Sequence, residues 1–192
     1  MRVLVACEKS RRVAHAFELL GHDAWSCDIL PAEQLGNHIQ DDVLKHLDDG
    51  WDLMIAHPDC TYLCNSGVRW LLTDNTRWDK MRLAARFFVK LMNAPIPLIA
   101  IENPIPHKYA ITYIGRKYNQ TIQPWMFGDM ESKATCLWLK GLPKLIPLTT
   151  IKPLGVKQSV HLEVPGPERH ANRSRTFQGI ADAIANQWGG KV

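Results

Sequence analysis

The chain has 192 residues, 46% of them apolar, and its 23 Lys and Arg against 19 Asp and Glu leave a formal charge of +4 and a pI near 8.8. That is enough chain for one well-buried core, and no composition break divides it, so a single domain over 1–192 is expected. No apolar run reaches the roughly 20 residues a membrane span needs, and Met1-Arg2-Val3 enters a strand pattern without a signal-peptide layout, which reads as a cytoplasmic protein with no membrane partner.

In chain order, Val3 to Ala6 is apolar and partly β-branched, which predicts a first strand. Cys7-Glu8-Lys9-Ser10 breaks it, and Val13, Ala16, Phe17, Leu19 and Leu20 then recur at helical spacing until Gly21 supplies a stop. His22 to Asp28 reads as the second strand, ending on an acid about twenty residues after the first turn, the distance at which nucleotide-binding βαβ folds hold a ribose. A short helix is predicted from Asp41-Asp42-Val43-Leu44 to near Gly50, with Asp42 also suited to cap it. Asp52 to Ala56 has the look of a buried strand. The loop His57-Pro58-Asp59-Cys60 follows at its carboxyl end, where open α/β sheets place ligands and reactive groups.

From Trp78 to Met92 the residues Met81, Ala84, Ala85, Phe88, Leu91 and Met92 share one face while Lys80, Arg82, Arg86 and Lys90 cover the others, an amphipathic crossover helix ended by Pro95 and Pro97. Leu98 to Ile101 is the next strand and leads directly into Glu102-Asn103-Pro104. A helix near Tyr109 to Arg116, strands at 121–125 and 135–139, an irregular proline-rich excursion over 141–171 and a terminal helix carrying Ile180, Ala183, Ile184 and Trp188 complete the chain. Strands alternating with helices imply an α/β fold with a mostly parallel sheet flanked by helices.

Two strands thus deliver a thiol, Cys60, and a carboxyl, Glu102, to what would be one edge of the sheet, a pairing that suits covalent catalysis. Each residue has a plainer reading. A free Cys at a strand end is more often a small buried hydrophobe, Glu-Asn-Pro is a good local turn, and Asp28 suits capping of the next segment. His57 reads as packing behind the loop or as helping to hold a phosphate or a base, Cys64 as structural, and Trp70, Trp78, Trp125 and Trp138 as packing more than stacking residues. The basic cluster Arg169, His170, Arg173 and Arg175 is either a solvated face or a phosphate contact. Five cysteines, an odd number at irregular spacing, fit a reducing compartment; His57, Cys60 and Cys64 have no second Cys/His pair at zinc spacing, so no metal is expected.

With Pro58-Asp59-Cys60, Glu102-Asn103-Pro104 and the cofactor-side segments in this order, most of the chain resembles the DNA cytosine-5 methyltransferases, especially the short versions found in bacteriophage and prophage genomes. The resemblance implies a Rossmann-like methyltransferase domain that uses S-adenosylmethionine to methylate C5 of cytosine in DNA. Cys60 would be the nucleophile at C6, Glu102 the acid at N3, and Lys133 a positive group near the base or thiolate. The cofactor would lie against Cys7 and Glu8 of the first turn, Asp28 for the ribose, Asp42 on the adenine side, and Pro58. Asn103, Pro104, Arg173 and Arg175 would meet the substrate. Phe127-Gly128 with Glu131, Lys133 and Thr135 resembles the family's Gln-x-Arg-x-Arg segment, and Arg173 to Trp188 its C-terminal motif.

The departures from the family pattern set the alternatives. The first turn has no glycine, whereas the family uses a Gly-rich turn; Arg11 or Arg12 filling the cofactor space would make that loss decisive and favour a binding module. Asp59 stands where the short relatives often carry a second proline, and its charge should raise the Cys60 pKa. The family's target-recognition domain has no room here, which calls for a recognition partner or a smaller substrate. Methylation of a free or single-stranded pyrimidine nucleotide, and a catalytically silent nucleic-acid-binding or regulatory module, are the competing readings.

Overall fold

The computed structural model describes residues 1–166 and 169–190. Its seven strands are β1 (Arg2–Ala6), β2 (Asp23–Asp28), β3 (His38–Gln40), β4 (Leu53–Ala56), β5 (Leu98–Pro104), β6 (Gln120–Ile122) and β7 (Thr135–Lys140). They form one sheet in the order β3-β2-β1-β4-β5-β7-β6. The run from β3 to β5 is parallel, and β7 lies antiparallel to both β5 and β6.

Helices cover both faces: α1 (Arg12–Leu19) and α6 (Gln178–Trp188) on one, α2 (Thr76–Met92) and α3 (Lys108–Ile114) on the other. The two-residue alternation of a strand sorts the core between them. Val3 and Val5 of β1 pack with Val13 and Phe17 of α1 and Ile180 and Ile184 of α6. Leu4 and Ala6 pack with Met81, Phe88 and Leu91 of α2. Being covered on both faces is why β1 and β4 read as unbroken apolar runs. On the second face the Phe88 ring meets Trp138 of β7 edge-on at 4.9 Å, fixing α2 against the antiparallel strand.

The sequence expectation of an α/β fold with a mostly parallel sheet describes this architecture, and several local readings change. The helix predicted from Asp41 to near Gly50 is a single 3-10 turn, Val43–Lys45, preceded by the short edge strand β3. Asp42 is its cap, accepting from the Leu44 N–H at 3.0 Å, while Asp41 accepts from the Asp42 N–H and from Lys45. Such local side-chain bonds hold a turn rather than propagate a helix. The strand predicted at 121–125 stops at Ile122, because Pro124 has no N–H for a ladder and opens the 3-10 turn Pro124–Phe127. The strand predicted at 98–101 runs on to Pro104, so Glu102 stands inside β5, opposite Leu137. A second 3-10 segment, Asn65–Leu72, follows the Cys60 loop. Within the excursion the described residues include the short α4 (Ser159–Leu162) and the start of α5 (Arg169–Ser174).

Candidate functional site

The carboxyl ends of β1, β2, β4 and β5 open on a cleft of about 740 Å³, within the range of small-molecule sites. Because β7 is antiparallel, the residues before it also reach that edge, which brings Lys133 to the cleft. Cys7 and Glu8 line it after β1, Asp28 at the end of β2, and Pro58 and Cys60 after β4. Glu102 and Pro104 enter from β5, Asp42 from the turn after β3, and Arg173 and Arg175 from the C-terminal segment. Asn103 does not line it: its side chain points into the protein, 1% exposed, with the amide N–H donating to the Pro104 carbonyl and Oδ1 left without a partner.

The first turn achieves without glycine the backbone course that glycine would ease. Cys7 and Arg11, both at φ 59°, sit in the left-handed region, which costs a residue with a side chain on the order of 1–3 kcal/mol. Two contacts compensate. The buried Glu8 carboxyl group accepts from the N–H groups of Val13 (2.8 Å) and Ala14 (3.2 Å) and from the Ser10 hydroxyl (3.1 Å), so an acceptor belonging to the chain occupies the N-terminus of α1. The fully buried Arg11 guanidinium turns away from the cleft to Glu18 and the Leu35 carbonyl. Gly36 lies so close over it that a Cβ there would overlap the guanidinium. Neither Arg11 nor Arg12 fills the cleft; Arg12 instead donates to the Thr176 carbonyl at 3.0 Å.

The Cys60 and Glu102 loops are stitched into one unit. Asn65 N–H donates to Ile105 O at 2.9 Å and His107 N–H to Leu63 O at 3.0 Å. The His107 ring accepts from Ala110 N–H at Nδ1, capping α3, which leaves Nε2 as the donor to the Tyr62 carbonyl, 3.0 Å away. Inside this frame His57 Nδ1 lies 3.0 Å from Glu102 Oε2, with each side chain 11% exposed. Burial alone would push the Glu102 pKa up. The bond and charge of His57 outweigh it, with Lys133 and the Thr176 hydroxyl adding to them, and hold Glu102 below the ordinary carboxyl value. Burial likewise opposes charge on His57, yet Glu102 and then Glu8 raise it above the ordinary imidazole value. Both shifts favour the ionic form of the pair. His57, read on sequence as packing behind the loop or holding a phosphate or a base, is a partner of the candidate acid.

Cys64, expected to be structural, shares a hydrogen bond with the Cys60 thiol from one turn on. Such a pair loses its first proton readily and its second reluctantly. Cys64, also bonded to Ser66 and facing the amides of Ser66 and Gly67, is the member drawn below the ordinary thiol value. Cys60 is pushed up by that bond, by burial and by the charges of Cys64 and Asp59, while Lys133 acts the other way. The expected effect of Asp59 is present but follows that of Cys64. The Asp59 carboxylate also accepts from Thr61, at its N–H (2.9 Å) and its hydroxyl (2.6 Å).

At the far end of the cleft Asp28 accepts from Leu30 N–H at 2.9 Å, so Asp28 and Asp42 both make the local capping bonds read from sequence while facing the cavity. Lys133 Nζ donates to the Arg173 carbonyl at 2.9 Å. Glu33 bridges Lys9 (3.2 Å) and Arg175 (2.9 Å) across the cleft mouth, with Arg175 also donating to Asn172. Sequence reasoning missed Glu33 and Thr176, which no motif marks. His57 was open to the argument used for Cys60, since it also follows a buried strand.

No protein-family model matches the chain, and no curated protein matches it in sequence. Among solved structures the chain is similar to a candidate DNA modification methyltransferase encoded within an E. coli prophage, at 14% identity and a TM-score of 0.50. The match covers 84% of this chain and 54% of the neighbour, so the chain spans about half of that protein's length. The likeness is one of fold: a Rossmann-like α/β domain with a mostly parallel sheet flanked by helices.

Proposed function

We propose that this chain transfers a methyl group from S-adenosylmethionine to C5 of cytosine in DNA, with Cys60 as covalent nucleophile. The observation that carries the reading is the convergence of Cys60, the His57–Glu102 pair and Lys133 on one cleft edge from three distant segments. The prophage-encoded neighbour of the same fold adds to it.

Cytosine C5 is a weak nucleophile until a thiolate adds at C6 and N3 gains a proton, and the two changes ease each other. Cys60 would make the bond to C6, with its proton passing to the Cys64 thiolate. Glu102 would face N3, Lys133 would favour negative charge on the sulfur, and after methyl transfer a base or water would take the C5 proton as the S–C6 bond breaks. The target base must leave the duplex to reach them. Pro104, Arg173 and, once released from Glu33, Arg175 are the cleft residues suited to hold it; Asn103 lies beneath them.

The residues at the other end suit the methyl donor. Asp28 and Asp42 are carboxylates for ribose and adenine polar groups, beside the apolar side chains of Ile29, Leu30 and Val43. Glu8, Cys7 and Pro58 border the space for the methionine end. When bound, S-adenosylmethionine supplies an electrophilic methyl group on a sulfonium.

DNA carrying 5-fluorocytosine tests the reading, because fluorine at C5 cannot leave as a proton would after methyl transfer. Wild-type protein with S-adenosylmethionine should form a denaturant-resistant adduct, and Cys60→Ser should form none. Duplex, single-stranded and free-nucleotide substrates run side by side separate the substrate forms. Cofactor binding with no adduct on any of them would overturn cytosine-5 chemistry, and no cofactor binding by calorimetry would favour a non-catalytic module.

A further inference from the structure

We propose that His57 supplies, through Glu102, the proton that N3 of the target base takes up as Cys60 adds to C6; the inference rests on the cytosine reading above. His57 is the first residue beyond β4, and its N–H continues the β1 ladder by donating to the Ala6 carbonyl at 2.9 Å, so the ring is carried on the sheet itself. Its Nδ1 faces Glu102 Oε2 at 3.0 Å. Three charged groups from three other segments face the ring: Glu102 from β5, Glu8 from the first turn and Lys133 from the loop before β7. The two carboxylates favour imidazolium and Lys133 opposes it.

His57, Lys133 and Thr176 favour Glu102 as a carboxylate, and in that form it accepts hydrogen bonds and holds no proton to give. Lys133 has Nζ turned to the Arg173 carbonyl. His57 is the group with a transferable proton already in a hydrogen bond to Glu102. The step balances. The S–C6 bond forms as the C5=C6 π bond opens, the electron pairs shift to C4=C5 and onto N3, N3 takes a proton from Glu102, and Glu102 takes one from His57, which is left neutral. When the S–C6 bond later breaks, the proton returns by the same path. His57 acts through Glu102, as a positioning and proton-supplying residue.

His57→Gln separates these roles, since an amide N–H keeps the bond to Glu102 but carries no acidic proton. Adduct formation on 5-fluorocytosine DNA should fall by about 10²-fold or more with cofactor and DNA binding unchanged. Its rate profile should lose the alkaline limb, which in wild-type protein should coincide with the His57 titration followed by NMR. A His57→Gln protein that reacts at the wild-type rate, or keeps that limb, overturns the proposal. If His57→Gln does not fold, the wild-type titration decides: a His57 midpoint above the ordinary histidine value, lowered in Glu102→Gln, supports the relay, and a midpoint below it refutes the relay. That titration needs no substrate. A wild-type protein forming no adduct would therefore remove the cytosine reading while leaving the His57 result to be judged separately.

Discussion

Replacing Glu8 by Ala should destabilise the protein through the start of α1. The helix has no side-chain cap of its own, and Arg11 at its N-cap points away, so the Glu8 carboxylate is the described side-chain acceptor for the Val13 and Ala14 amides. Both residues are fully buried. A hydrogen bond to a charged group is worth about 1.5–3 kcal/mol and a lost cap about 0.5–2 kcal/mol. Glu8 borders a cleft that water can enter, which lowers the sum, so Glu8→Ala should cost about 2–4 kcal/mol. For a domain of this size the loss corresponds to a fall in Tm of about 5–15 °C. Glu8→Gln keeps an acceptor oxygen and should lose much less, because burial already pushes the Glu8 pKa up despite His57 and these bonds. By linkage, a carboxyl raised on folding adds stability as pH falls through its folded value, so wild-type protein should gain on Glu8→Gln under mild acid. Paired thermal melts on the three proteins check both statements. An Ala variant melting with the wild type would refute the capping argument.

Two further expectations concern the charged core of the site. Iodoacetamide labelling followed by mass spectrometry should find one thiol of the Cys60–Cys64 pair reactive well below the pH range of an ordinary thiol, and Cys64→Ser should abolish that low-pH reactivity; labelling that begins only near the pKa of a free thiol would contradict a shared proton. The His57–Glu102 pair should stabilise the fold most between the ordinary values of its members, 4.5 and 6.5. Its contribution should fade in acid as the depressed Glu102 is protonated, and in alkali as the raised His57 loses its proton. Urea midpoints of wild type and Glu102→Gln across pH should therefore converge at both ends, and a constant gap would argue against an ion pair.

Much of this architecture was legible because burial writes itself into composition. β1 and β4 are covered on both faces and are unbroken apolar runs, and α2 carries its inward stripe at helical spacing. Cys60 and Glu102 could be placed because one follows such a strand and the other lies near the carboxyl end of one, though inside it. Short elements were harder: β3 has three residues, and the turn at Val43 is set by Asp41 and Asp42 bonding locally rather than by periodicity. The ion pair of His57 and the bridge of Glu33 depend on contacts between distant segments, which single-sequence patterns do not encode. The left-handed Cys7 and Arg11 ran against the local rule that assigns such a course to glycine, and buried partners on either side make the exception tolerable.

The lacing of the C-terminal segment onto the first helix has a consequence for the order in which the molecule is made. Arg12 bonds the Thr176 carbonyl across 164 positions of chain, α6 packs on α1, and the Thr176 hydroxyl meets Glu102. Closing a loop of that length costs about 4–5 kcal/mol of chain entropy, and the return comes only once the last helix docks. On a ribosome, the central strands would be synthesised well before the segment that completes the acid's surroundings. A nascent chain should then pass through a collapsed stage whose cleft is unfinished and chemically mute, and pulsed hydrogen exchange during refolding should find the α6 amides among the last to be protected.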